Sequence, residues 1–134
     1  RDVAPSRGLG DVYKRQALVE ATVFGSRAIN ERMLEEGVPI DNILAIGGIA
    51  RKSPFVMQTM ADVIGVPIRV ADSDQACALG AAMFAAVAAG LYGSVQEAQQ
   101  AMCPGFSDEY LPDMERHAIY DRLYDRYLKL GGRR

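Results

Sequence analysis

Two short apolar runs with a helix start between them constrain this chain more than any other feature. Ile43-Leu44-Ala45-Ile46 is unbroken and ends at Gly47-Gly48, and Val66 to Val70 follows Gly65. Such runs suit strands buried on both faces, as in a parallel sheet. Between them, Ser53-Pro54 offers a hydroxyl N-cap and a proline at the first helical position. That helix is expected to reach about Ile64, where Gly65 and Pro67 stop it.

The flanking segments read as mostly helical. Ala17, Leu18, Ala21, Phe24, Ala28 and Met33 recur at helical spacing before Gly37 and Pro39, which predicts a helix over 17–36. Ser73 is a candidate cap for a helix running to Ala89, with Asp74 at its positive end and Gly90 closing it. Ser94 and Glu97 form a capping-box pattern for a short helix to about Met102. Residues 103–112 hold Pro104, Gly105 and Pro112 and read as a loop. A last helix is expected over 113–130, with Tyr120, Leu123, Tyr124, Tyr127 and Leu130 on its apolar side. The class is α/β, helix-rich with two short parallel strands. Two strands are thin for an independent sheet, which suggests part of a larger domain.

Residues 1–16, RDVAPSRGLGDVYKRQ, stand apart, rich in Arg and Gly without strand or helix periodicity. They read as a disordered or non-native leader. The string RGLGDVYKRQ resembles adapter-derived sequence at the ends of translated partial reads, so the native sequence is expected to start at Ala17. The expected organisation is therefore a leader over 1–16, a main body over 17–112 and a C-terminal helix and tail over 113–134.

Composition narrows the function classes. Fifteen Lys and Arg against 17 Asp and Glu give a net charge of −2, which argues against nucleic acid, whose phosphates demand clustered positive charge. Cys77 and Cys103 are the only cysteines, too few for a disulfide scaffold and suited to a reducing compartment. The least polar window, Ala76 to Leu91, holds eight alanines up to Ala89 and falls short of the roughly 20 strongly apolar residues a membrane span needs. A soluble cytoplasmic location is expected.

The chemistry-bearing candidate is Gly47-Gly48-Ile49-Ala50-Arg51-Lys52-Ser53, between a strand and a helix. Such a junction exposes backbone N–H groups, and glycine lets a flat ligand or a phosphate approach the main chain. The carboxyl end of a parallel strand is also where open α/β sheets bind ligands. It is no P-loop, because Arg51 stands where that motif needs glycine before Lys-Ser. Nor does it hold the three spaced glycines of a dinucleotide fingerprint. A ligand-free tight turn is the plain alternative.

The second candidate is the segment from Asp74, DQACALGAAMFAAVAAG, where Gly80 and the alanines form a face so small that another backbone is expected against it. Tight packing accounts for most of that. The sharper reading has this helix backing the Gly-Gly turn, with Asp74 and Gln75 at a cleft edge. His117, the only histidine, sits beside Glu115 and Arg116 and is expected to be solvated, without a metal partner at useful spacing. Cys77 is expected to be a buried small apolar residue. No metal ligands and no catalytic constellation are visible.

At GGIARKSPFVMQTMADVIGVPI and then SDQACALGAAMFAAVAAG, the chain resembles the C-terminal region of the FGGY carbohydrate kinases, from about Ala17 to Gln100 and more weakly beyond. The shared pattern is Gly47-Gly48, Gln58, Ala61-Asp62, Pro67 and Leu79-Gly80-Ala81-Ala82. In EATVFGSRAI, Ala50-Arg51-Lys52 and Ser73-Asp74-Gln75 it most resembles the branch acting on L-ribulose. Xylulose and glycerol kinases more often carry a Glu with a small residue in place of Ser73-Asp74-Gln75.

The resemblance implies a partial ribonuclease-H-like domain of the actin-like ATPase fold, truncated on its N-terminal side. It also implies ATP with Mg2+ as cofactor, and transfer of the γ-phosphoryl to the 5-hydroxyl of L-ribulose in arabinose catabolism. A homodimer is an expectation for the whole enzyme. Gly47 and Gly48 are expected to lie against adenosine, with Lys52 or Ser53 near the adenine edge. The family's catalytic aspartate and phosphate loops match nothing from Ala17 onward, so the chain alone is expected to be inactive. Asp62, Asp72 and Asp74 fall where the family does not place its base. A helical adaptor that binds a protein through the tyrosine face of the last helix is the reading from a different class.

Overall fold

The computed structural model describes residues 9–132. The elements are α1 (Leu9–Glu35), β1 (Ile43–Ala45), α2 (Gly48–Lys52), α3 (Pro54–Ile64), β2 (Ile68–Ala71), α4 (Ala76–Ala88), α5 (Val95–Met102), β3 (Phe106–Tyr110) and α6 (Met114–Leu130). The sheet order is β1-β2-β3, with β1 parallel and β3 antiparallel to β2. Ile43 lies opposite Ile68 and Ala45 opposite Val70, while Arg69 faces Glu109 across the antiparallel pair.

Helix α3 lies between two cores. Its Met57 and Ala61 pack on Ile68 and Val70 of β2 and on Ala50 of α2. Ile68 and Val70 are fully buried while Arg69 between them is exposed, the period-2 alternation of a strand with one covered face. Complete burial of an Ile or Val side chain contributes roughly 1.5–3 kcal/mol, so these two side chains pin the sheet to α3. On its other side, Val63 joins Val23 and Phe24 of α1 and Tyr124 of α6. The Phe24 ring sits 5.5–6.3 Å from the rings of Tyr120, Tyr124 and Tyr127. The tyrosine side of α6 is thus engaged within the fold.

Asp62 ties α3 to α6. Only 1% exposed, its carboxylate accepts from Gln58 Nε2 at 2.7 Å and from the Asp113 N–H at 2.9 Å, with Arg116 at 3.5 Å. Gln58 also donates to the Leu111 carbonyl. Asp113 then caps α6 by accepting from Glu115 and Arg116 N–H groups. Gln58 and Asp62, two residues of the family pattern, thus serve a structural junction.

Several expectations are corrected. His117 is not solvated: its Nδ1 donates to the Asp62 carbonyl at 2.8 Å, and its ring packs on Gly65, where a Cβ would lie 2.8 Å from it. Gly65 closes α3 at φ 78°, so its missing side chain serves both the left-handed cap and the imidazole. Residues 106–110 are not loop but β3. Its sequence FSDEY is polar and almost wholly exposed, so edge pairing through the main chain, invisible to hydropathy, defines it. Strand β1 is not buried on both faces: Ile43 and Ala45 pack on the core, but Leu44 is 50% exposed. The described sheet has helical cover on Leu44's opposite side only, so Leu44, Arg69 and Glu109 share an open face.

The expected boundary at Ala17 is not a structural one. Helix α1 starts at Leu9 and continues through Gln16, although residues 10–18 are all exposed. Propagation from a packed helix adds one hydrogen bond per residue and needs no new nucleus, so the packed turns around Val23 can extend upstream through exposed residues. Residues 1–8 lie outside the described residues.

Candidate nucleotide-facing turn

The carboxyl ends of parallel strands β1 and β2 lie side by side, and each opens into a turn carrying one sequence candidate. After β1, Gly47 adopts φ 91° and ψ −178°, a conformation that L side chains rarely take. Gly48 begins α2. A Cβ at Gly47 or Gly48 would meet nothing within 4 Å, so the turn is uncovered main chain. It is not sealed inside the protein.

Helix α2 is a single short turn that interrupts the simple junction read from the sequence. Ser53 N–H donates to the Ile49 carbonyl at 3.0 Å and Arg51 N–H to the Gly47 carbonyl at 3.4 Å. Its inner side is fixed by buried Ala50. Ser53 caps α3, as expected, by accepting from the Val56 N–H at 3.4 Å. Its hydroxyl oxygen is therefore engaged, while its O–H can still donate outward. Lys52 is exposed, with no ion pair among the described residues.

Arg51 reaches across to the turn after β2. Its Nη1 bonds Asp74 and its Nη2 lies 3.7 Å from Asp72 Oδ1. The geometry thus joins Asp74 to the glycine turn. It does not place the alanine-rich helix there. Helix α4 packs chiefly on α5, and a Cβ at Gly80 would meet nothing within 4 Å. The close backbone expected against that face is not made among the described residues, because small residues permit such an approach without producing it. For the same reason Cys77 is exposed rather than buried: of α4 only Met83 is buried, and Phe84 is 65% exposed. Helix α4 also starts after Gln75, without a side-chain cap, so Ser73 does not cap it.

Two grooves lie elsewhere. One of about 1220 Å³ runs between α1 and α6 past Ala28, Met33 and Tyr127, and one of about 330 Å³ is lined by Phe55, Thr59 and Tyr120. Neither contains a residue of the glycine turn. The turn is a shelf, and its openness is what suits a planar ligand laid on backbone.

A half-covered mixed sheet of three strands, with open turns at its parallel carboxyl ends, defines a helix-rich α/β architecture. The chain belongs to the FGGY family of carbohydrate kinases, whose C-terminal domain model matches residues 3–89. It is 48% identical over 115 residues to a ribulokinase of Vibrio parahaemolyticus, covering 86% of this chain and 20% of that protein. A Bacillus licheniformis ribulokinase is 44% identical over 124 residues, covering 90% of this chain and 22% of that protein. Among solved structures, the xylulose kinase of Rhodospirillum rubrum superposes with a TM-score of 0.74 at 26% identity, over 97% of this chain and 26% of that one. The chain thus spans about a fifth of the curated relatives it matches.

Proposed function

We propose that this chain is the distal part, over 17–112, of the nucleotide-binding domain of an ATP-dependent L-ribulose kinase, with 113–134 as its C-terminal helix and tail. The observation that carries the reading is the bare Gly47-Gly48 turn, open to approach at the carboxyl end of β1, in a chain 48% identical to a ribulokinase. Gly47 and Gly48 form the wall against which adenosine lies, and Lys52 or Ser53 faces the base edge, with an ammonium or a hydroxyl donor. The fit rests on space: a purine needs a flat surface without side chains, and two exposed glycines supply one.

In the whole enzyme the γ-phosphoryl passes to the 5-hydroxyl of L-ribulose, a reaction driven by positioning and charge neutralisation and placed in arabinose catabolism in the cytoplasm. No described helix is long and apolar enough to cross a membrane. Among the described residues no group of three His, Cys, Asp or Glu could hold a metal ion, so no step through Mg2+ is assigned to this chain. The chain holds a binding wall and no base, and alone it does not turn over. An ATP-coupled assay with L-ribulose tests this: the purified 134-residue chain releases no ADP above background, and sustained sugar-dependent release overturns the proposal. The sugar is tested on a kinase containing this sequence in its complete domain, where preference for xylulose or glycerol over L-ribulose reassigns the branch.

A further inference from the structure

We propose that Arg51 is a positioning residue for the glycine turn, acting by clamping α2 to the segment between β2 and α4. The role rests on the adenosine reading above, but the clamp itself can be judged separately. Helix α2 spans five residues, far fewer than a helix needs to persist alone. Buried Ala50 packs it on the core, and backbone hydrogen bonds from the Arg51 and Ser53 N–H groups close its ends. The Gly47 and Gly48 main chain beside it is uncovered, since a Cβ at either would meet nothing within 4 Å.

The remaining restraint is ionic. The Arg51 guanidinium bonds Asp74 through Nη1 and approaches Asp72 through Nη2, linking residues 23 apart in sequence. A planar guanidinium holding two carboxylates fixes direction as well as distance. Arg51 and Asp74 come from Ala50-Arg51-Lys52 and Ser73-Asp74-Gln75, two of the three segments on which the resemblance to the L-ribulose branch rests. Structurally they are one contact. Arg51 also offsets the charge of the two carboxylates beside a surface assigned to an anionic nucleotide, and leaves the Lys52 ammonium available to it.

The test uses the whole chain and amide hydrogen exchange resolved by NMR. In Arg51→Gln, exchange at the Arg51-position and Ser53 amides is expected to quicken about two- to fivefold, the range of partly exposed ion pairs. Ala61 to Val63 in α3 should not change. The double variant Arg51→Asp/Asp74→Arg should restore slow exchange, which neither single variant does. Unchanged α2 exchange in Arg51→Gln, or no recovery in the swap, overturns the clamp.

A second arm adds millimolar ATP and follows the Gly47 to Ser53 resonances. Perturbation in the parent chain, weakened in Arg51→Gln and restored in the swap, supports positioning. Equal perturbation in parent and Arg51→Gln overturns it while the adenosine reading stands. No perturbation in the parent overturns the adenosine reading and the positioning role with it, leaving exchange to judge the clamp alone.

Discussion

Alanine at Gly47 and alanine at Gly48 should have opposite effects although the two positions are adjacent. Neither new methyl touches anything within 4 Å, so packing and clash drop out of the comparison. Gly47 sits at φ 91° with ψ −178°, a region essentially confined to glycine that costs another residue about 1–3 kcal/mol. Gly48 has no positive φ and starts α2, where alanine is the better helix former by up to about 1 kcal/mol. Either substitution also removes unfolded-chain freedom worth about 0.4–1 kcal/mol, and that contribution cancels in the difference. The two variants should therefore differ by at least about 1–3 kcal/mol, or roughly 4–11 °C in Tm for a chain of this size, with Gly47→Ala the lower. Thermal unfolding followed by circular dichroism at matched concentration measures the gap. Equal Tm values, or Gly48→Ala falling as far as Gly47→Ala, would refute the backbone argument. Given that separation, Gly48→Leu becomes a clean probe of the site: the fold stays and the shelf is obstructed, so the ATP-induced resonance shifts should vanish.

Asp62→Ala leaves the Gln58 amide and the Asp113 N–H without their shared acceptor, at a cost of roughly 2–4 kcal/mol; the urea midpoint should fall with an unchanged slope, and less in Asp62→Asn. Burial, reinforced by the hydrogen bond to Glu31 and its charge, pushes the Tyr124 hydroxyl up to about 12 from 10.0. A raised folded-state value means the native chain holds this proton more tightly. The stabilisation is then complete below pH 10 and is lost as pH climbs through about 12. Tm should fall less steeply in Tyr124→Phe than in the parent over that window, and an equal slope in both would count against the assignment. Leu44→Glu puts a carboxylate opposite Arg69 on the open face of the edge strand β1; light scattering on warming should rise more slowly with Tm held, and faster aggregation would contradict it.

What the sequence discloses follows local chemistry, and what it conceals follows partners. Pro54, Ser53 and Gly65 bracket α3 at the expected residues because caps and breakers act within a turn of themselves. Ser94 likewise caps α5 by accepting from Glu97 N–H, although Glu97 reaches back to Gly93 rather than to Ser94. β3 was concealed, since an edge strand of polar residues is defined by the neighbour it pairs with. The seat of His117 depends on a glycine 52 positions away in the chain, which no local pattern encodes. Helix α4 misleads in the opposite direction: its alanines and Gly80 promise a tight contact, yet the described residues bring nothing to that face. The glycine turn itself was legible, because its requirement for residues without side chains is written in the residues themselves. The Arg51 link to Asp74 was not, because a side-chain contact across 23 positions leaves no local pattern.

Three of the chain's aspartates show how burial divides carboxylates that hold the fold from those left at its surface. Asp62 is enclosed, and enclosure obliges it to fill its lone pairs from within the protein; with Gln58, Asp113 and Arg116 around it, little acceptor capacity remains for a ligand. Asp72 and Asp74 are exposed and share one arginine. An exposed pair contributes little stability, so its energy cannot be the reason the fold holds together. Its consequence is geometric: it joins the two turns at the carboxyl ends of β1 and β2, the part of such a sheet where ligands bind. A contact too weak to hold a fold can still select among arrangements of a five-residue helix, because so little else restrains that helix. The same reasoning places the glycine shelf, rather than the larger groove between α1 and α6, at the centre of the functional reading. The groove contains no residue of the turn, whereas the shelf combines a glycine at positive φ, an uncovered main chain and an ionic tether at one sheet edge.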